Sequence, residues 1–172
     1  MKKTLFTVMF IALFAIIGFQ PAYAYDDIIP VTAYTMATGD AYIIDVRTDA
    51  EWTWIGHPGE NKIGEGADLD GKVVNISWKK DVKGVLIVNP TFVSDVQEVF
   101  APNTTLILMC RSGKRSVDAS LALEAAGFTN VFNMLNGFQG QKTPEGYRDV
   151  PDSGWVNSGL PYITSGVGAY DD

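Results

Sequence analysis

The chain has 172 residues, 47% hydrophobic and 19% charged, with a formal net charge of −7. That supplies enough apolar side chain for one packed domain and excludes a chain too polar to fold. The acidic balance weighs against nucleic acid and anionic membrane as partners, because their phosphates call for clustered Lys and Arg.

Lys2 and Lys3 give a basic start, Val8 to Phe19 is an unbroken apolar run, and Ala22-Tyr23-Ala24 supplies a small-x-small cleavage signal. This is the build of a secretory signal peptide over residues 1–24, cut after Ala24. The apolar stretch from Leu5 to Phe19 falls short of the ~20 residues that a spanning helix needs, which weighs against an uncleaved anchor. Cleavage removes two lysines, takes the charge from −7 to −9 and leaves residues 25–172 as a single domain. The expected location is an exported one, the periplasm, with no membrane attachment after cleavage.

After the signal, Asp27 to Ile29 reads as a brief strand and Pro30 to Thr38 as a short helix. Ala41 to Asp45 is a strand in which Tyr42, Ile43 and Ile44 run together without alternation, as in a parallel strand covered on both faces. Thr48 can cap a helix running through Trp54. Gly56 to Gly71 is rich in glycine and acid and reads as an extended loop. Val73 to Ile76 is the next strand. Lys79 to Asn89 is ambiguous: Val85 to Val88 is β-like but equally suits a connector. Pro90 to Phe100 carries Phe92, Val93, Val96, Val99 and Phe100 on one side of a helix. Thr104 to Met109 reads as the central strand, Val117 to Ala126 as a helix stopped by Gly127, and Val131 to Met134 as another strand. Beyond Gly140 turn residues dominate. Strands alternating with helices predict an α/β fold, with a mostly parallel sheet, right-handed crossovers and helices on both faces.

The only cysteine, Cys110, stands where the central strand ends. Arg111, Lys114 and Arg115 crowd the loop after it, with Gly113 among them, and Ser116 is placed to cap the following helix. Ligands of such sheets sit at the carboxyl ends of strands. A thiol at a helix N-terminus, beside three cations and converging backbone N–H groups, sits in an environment that favours thiolate and binds anions. These residues point to a nucleophilic cysteine acting on an anionic substrate. A lone cysteine in an exported chain permits no internal disulfide, so its retention argues for a task.

The run Cys110-Arg111-Ser112-Gly113-Lys114-Arg115-Ser116 resembles the active-site loop of rhodaneses, the thiosulfate sulfurtransferases. Other landmarks agree in order: Ile43-Ile44-Asp45-Val46-Arg47, Glu51-Trp52, Gly56-His57-Pro58-Gly59, Asn75-Ile76-Ser77-Trp78, Asn136-Gly137-Phe138, and Gly154-Trp155 followed by Gly159-Leu160-Pro161. The resemblance covers nearly all of residues 27–162. It implies that Cys110 takes the outer sulfur of thiosulfate as a persulfide, that sulfite leaves first, and that cyanide or a thiol accepts the sulfur second. Residues 111 to 116 would bind the small anionic donor. The Asp45 and Arg47 pair would be architectural. Neither a metal nor an organic cofactor is called for, and the thiophilic acceptor can be a small molecule or a protein.

Two rivals stand beside that reading. Cysteine phosphatases and arsenate reductase-like enzymes also wrap an anion in a strand-to-helix loop, but their arginine lies six positions after the cysteine. Here that position is Ser116, and Arg115 comes one residue earlier. The other rival is a sulfur-carrier or thiol-binding module without turnover of its own. His57, the only histidine, reads as a structural turn residue. With one cysteine and one histidine no ordinary structural zinc site can be built. Trp54, Trp78 and Trp155 are candidates for the pocket mouth, with burial in the core as the commoner fate of such aromatics.

Overall fold

The structure, a computed structural model, describes residues 25–60 and 64–164. The expected signal peptide, residues 1–24, lies outside them. In chain order the strands are β1 (Asp26–Ile28), β2 (Tyr42–Asp45), β3 (His57–Pro58), β4 (Val73–Asn75), β5 (Lys79–Val82), β6 (Val85–Val88), β7 (Leu106–Met109), β8 (Val131–Met134) and β9 (Tyr162–Ile163). The helices are α1 (Pro30–Ala37), α2 (Asp49–Ile55), α3 (Phe92–Val99) and α4 (Lys114–Ala125).

Five strands form the central sheet in the order β1-β8-β7-β2-β4, and every pairing in it is parallel. The middle strand, β7, is buried along its whole length. Its unbroken Leu106-Ile107-Leu108-Met109 run follows from that, since successive side chains enter opposite faces and both faces are covered. Leu106 and Leu108 pack with Ile44, with Phe92 and Val96 of α3, and with Ala119 and Leu123 of α4. Ile107 and Met109 pack with Ile43, with Ala33 and Ala37 of α1, and with Trp155. The α/β architecture with helices on both faces is therefore as the alternation of elements predicts.

Thr48 caps α2 as expected. Its hydroxyl accepts the Glu51 N–H at 3.2 Å, and the Glu51 carboxylate accepts the Thr48 N–H at 3.1 Å, a reciprocal box.

Three segments depart from the sequence reading. The ambiguous stretch is a hairpin, β5 paired antiparallel with β6, turning through Lys83 and Gly84 at φ 55° and 84°. Positive φ at both turn residues matches the right-handed twist of the strands, and Asp81 accepts the Gly84 N–H at 2.7 Å. Val85 to Val88 are 46–62% exposed, so an all-apolar run here does not mark a core strand. Helix α4 begins at Lys114, earlier than Val117, because Gly113 at φ 90° turns the loop directly into it. Ser116 is thus in the first turn and is not the cap. The glycine-rich loop after Gly56 carries β3, which pairs with β9, and a short 3-10 turn, Ala67–Leu69. Among the described residues no helix is long and apolar enough to cross a membrane.

Candidate active site

Cys110 directly follows β7, so the middle strand of the sheet delivers its sulfur to the carboxyl-end crevice. The residue is 1% exposed. Two donors reach Sγ: the Gly113 N–H at 3.2 Å and the Ser116 hydroxyl at 3.4 Å. Both come from the start of α4, where free N–H groups and the helix dipole favour negative charge. Sulfur at this point is therefore met by hydrogen bonds that strengthen as it becomes anionic.

The loop is braced from beneath by the turn after β8. Phe138 donates its N–H to the Cys110 carbonyl at 2.7 Å, and Gln139 donates to the Arg111 carbonyl at 3.0 Å. The Gln141 side chain donates to the Ser112 carbonyl at 2.9 Å. Gly137 lets the two segments touch. At φ 58°, a Cβ there would lie 2.3 Å from the Cys110 carbonyl oxygen, closer than any side chain permits.

The three cations have different fates. Lys114 is exposed. Arg111 is half-buried, and its Nε is buried without a hydrogen-bond partner among the described residues. Arg115 meets both oxygens of Glu51, at 2.6 and 2.7 Å. Burial pushes the Glu51 carboxyl up, but the Arg115 bonds and charge, with the Thr48 N–H, hold it below its usual range. Burial pulls Arg115 down, and Glu51, then the nearby Cys110, push it above its ordinary value. Arg115 therefore ties α4 to α2 while its charge still reaches the sulfur. Its guanidinium is committed to a protein carboxylate rather than open to an incoming anion.

Asp45 and Arg47 stand at the end of β2, beside β7, and both are fully buried. Arg47 Nε lies 2.9 Å from each Asp45 oxygen and its Nη2 lies 2.5 Å from Oδ2. The same Nη2 donates to the Gly56 carbonyl at 2.6 Å, and the guanidinium lies 4.3 Å above the Phe138 ring. The pair thus links the end of α2 to the turn that supports the Cys110 loop. Asn75 and Ser77 anchor its backbone by donating to the Arg47 carbonyl.

His57 stacks on Trp52 with ring centroids 3.6 Å apart, and burial holds its pKa below the ordinary value. It sits in β3, in a structural position. Trp155 is wholly buried, edge-on to Tyr34, with its N–H given to the Pro161 carbonyl at 2.8 Å. Trp78 packs edge-on against Phe92 and Trp54 is 64% exposed. Two of the three tryptophans are packing residues.

Sequence reasoning passed over Gln141 and Arg148, and gave Glu51 no partner. The capping box marks Glu51 as a helix-start residue, but nothing local signals an arginine 64 positions later. Arg148 lies in a stretch without periodicity. It donates to the Gly140 carbonyl, next to the loop's support.

A family model, the rhodanese-like domain, matches residues 32–143. An uncharacterized protein of Rickettsia conorii is 30% identical over 134 residues, which cover 76% of this chain and 90% of that one. A chloroplastic thiosulfate sulfurtransferase 16 of Arabidopsis thaliana is 28% identical over 88 residues, 51% of this chain and 62% of its own length. Among solved structures, that of Rv0390 from M. tuberculosis superposes with a TM-score of 0.67 at 32% identity, covering 81% of this chain and 98% of that one. The sheet, the strand-to-helix cysteine loop and these matches together make this chain a member of the rhodanese-like domain family.

Proposed function

We propose that the protein is a sulfurtransferase that moves sulfane sulfur from thiosulfate, or a related donor, to a thiophilic acceptor through a Cys110 persulfide. The observation that carries this is the sulfur's position at the middle strand's carboxyl end, with the Gly113 N–H and Ser116 hydroxyl on it. In the first step the Cys110 thiolate attacks the outer sulfur of thiosulfate. The bond between the two thiosulfate sulfurs breaks, and sulfite departs with its electron pair. In the second step the acceptor attacks the outer sulfur of the persulfide, and Cys110 leaves as thiolate. The two donors at Sγ serve both anions of this cycle.

Arg111 and Lys114 hold the dianionic donor in this reading, with the backbone of Ser112 and Gly113 lining the loop. Arg115 acts from behind, through charge and through Glu51. That arrangement favours sulfur transfer over phosphoryl or arsenate chemistry, because the last arginine of the loop is occupied by a carboxylate. Thiocyanate formation from thiosulfate and cyanide tests the proposal. Wild type should turn over and Cys110→Ser should not, since serine cannot hold a persulfide. Turnover by the serine variant would overturn it. A protein that charges with sulfur but passes it only to a protein acceptor would instead be a carrier.

The same reading places the protein outside the cytoplasm, on the strength of the signal-like residues 1–24. N-terminal sequencing of the periplasmic fraction should begin at Tyr25. Retention of Met1 or residence in the cytoplasm would contradict it.

A further inference from the structure

A cleft of about 220 Å³ lies against the turn that braces the Cys110 loop, lined by Ile55, Phe138, Gln139, Arg148, Val156, Asn157, Tyr162 and Thr164. Its wall at Phe138 and Gln139 is hydrogen-bonded to the carbonyls of Cys110 and Arg111. Half of the lining residues are apolar, with Ile55, Phe138, Val156 and Tyr162 facing Gln139, Arg148, Asn157 and Thr164, a mixed make-up that suits a small organic ligand with a charged end. Two polar atoms of the lining, Arg148 Nε and Gln139 Oε1, are buried without a hydrogen-bond partner among the described residues. Arg111 Nε, on the loop itself, is a third. Buried polar atoms of this kind, two donors and one acceptor, are costly unless something meets them.

Charge adds to the geometry. Burial lowers the Arg148 pKa, and the like charge of Arg111 lowers it further. Two guanidinium groups therefore feel one another, one on the Cys110 loop and one on the cleft wall. Glu51, the acid whose charge acts on Arg148, is already bonded twice by Arg115. An anion in the cleft would lie beside the Arg148 guanidinium and offset the like charge of Arg111. Thiosulfate has no organic body to occupy the apolar walls. A thiol on a short chain ending in a carboxylate has one.

We infer that the cleft beside the Cys110 loop is an acceptor site for a small organic thiol bearing a carboxylate, with Arg148 as its specificity residue. This rests on the sulfurtransferase reading. The thiol sulfur attacks the outer persulfide sulfur, the bond between the two sulfurs breaks, Cys110 departs as thiolate, and the acceptor leaves as a persulfide. The carboxylate stays on Arg148 throughout, and the Phe138 and Tyr162 side of the cleft covers the carbon chain.

The test charges the full-length mature protein with thiosulfate, removes the excess, and follows single-turnover discharge by two thiols. One is 3-mercaptopropionate and the other 3-mercaptopropan-1-ol, similar in length and thiol basicity. Wild type should prefer the carboxylate by about tenfold, the worth of one charge-assisted contact. Arg148→Gln should bring the ratio near one, and Arg148→Lys should keep part of the preference. An equal rate for both thiols in wild type, or an undiminished ratio in Arg148→Gln, would overturn the inference. The wild-type ratio decides even if a variant fails to fold. If Cys110 does not charge at all, the sulfurtransferase reading falls instead. Calorimetric binding of the unreactive 3-(methylthio)propionate then judges the cleft by itself: binding weakened by Arg148→Gln supports it, and no binding to wild type rejects it.

Discussion

Arg115, on the first turn of α4, grips both oxygens of Glu51, on the first turn of α2, at 2.6 and 2.7 Å. One ion pair thus locks the helix that presents the cysteine loop to the helix that closes the neighbouring side of the crevice. Glu51 also completes the cap of its own helix, so it serves two structural tasks with one carboxylate.

Replacing Glu51 with Gln should destabilise the fold by about 1–2 kcal/mol near neutral pH, between an exposed and a fully buried pair. The effect has a defined pH dependence. The folded-state pKa of Glu51 is held below its ordinary 4.5. The unfolded state therefore binds more protons in this range, and the pair's contribution is full above about that value and fades as pH falls through the lowered one. Urea unfolding of wild type and Glu51→Gln should give a gap that narrows on acidification. A gap that stays constant or widens would mean that the pair does not set the stability difference.

Ser116→Ala removes one of the two donors on the Cys110 sulfur. A hydrogen bond to a group that becomes charged contributes about 1–2 kcal/mol, so kcat/KM for thiosulfate should fall about five- to thirtyfold. Alkylation of the sulfur-free enzyme by iodoacetamide near neutral pH should slow in parallel, because it too needs the thiolate. Unchanged rates in both assays would show that the hydroxyl points elsewhere in solution.

Gly137→Ala tests the brace beneath the loop. The new Cβ would fall 2.3 Å from the Cys110 carbonyl oxygen, at a backbone φ of 58°. Neither backbone segment can retreat without breaking the Phe138 to Cys110 hydrogen bond. A loss of about 3 kcal/mol or more is expected, read as a lower urea midpoint. Stability within about 0.5 kcal/mol of wild type, the range of ordinary surface changes, would contradict the close approach.

Arg111→Ala and Lys114→Ala should each reduce thiosulfate efficiency by about one to two decades, the worth of about 1.5–3 kcal/mol in charge-assisted contact. Lys114 is the exposed one, so its effect should shrink as salt is raised, whereas the half-buried Arg111 should be less sensitive. Kinetics that match wild type for both variants would remove them from the donor site.

What could be read from the sequence, and what could not, follows from the range of the interactions. Leu106 to Met109 declares a two-sided core strand because four consecutive apolar residues have no solvent face. Cys110, Gly113 and the cations after it form a local pattern, so the loop is visible without any tertiary information. Val85 to Val88 carries the same apolar run as β7 and is exposed in a hairpin, since periodicity reports composition and not what covers it. Ser116 reads as a cap because serine commonly caps. Gly113, in the left-handed region, starts the helix first and leaves the Ser116 hydroxyl free to face the sulfur. The pairing of Arg115 with Glu51, and the approach of Arg148 to the loop, join residues far apart in the chain, and no local signal foretells them.

The most direct test of the central claim is the intact mass of the mature protein after incubation with thiosulfate and removal of the excess. The account predicts a gain of one sulfur atom, located on Cys110, that is lost on adding cyanide with release of thiocyanate, and no gain for Cys110→Ser. A wild-type mass unchanged by thiosulfate and by organic persulfide donors, or a sulfur gained equally by Cys110→Ser, would contradict it.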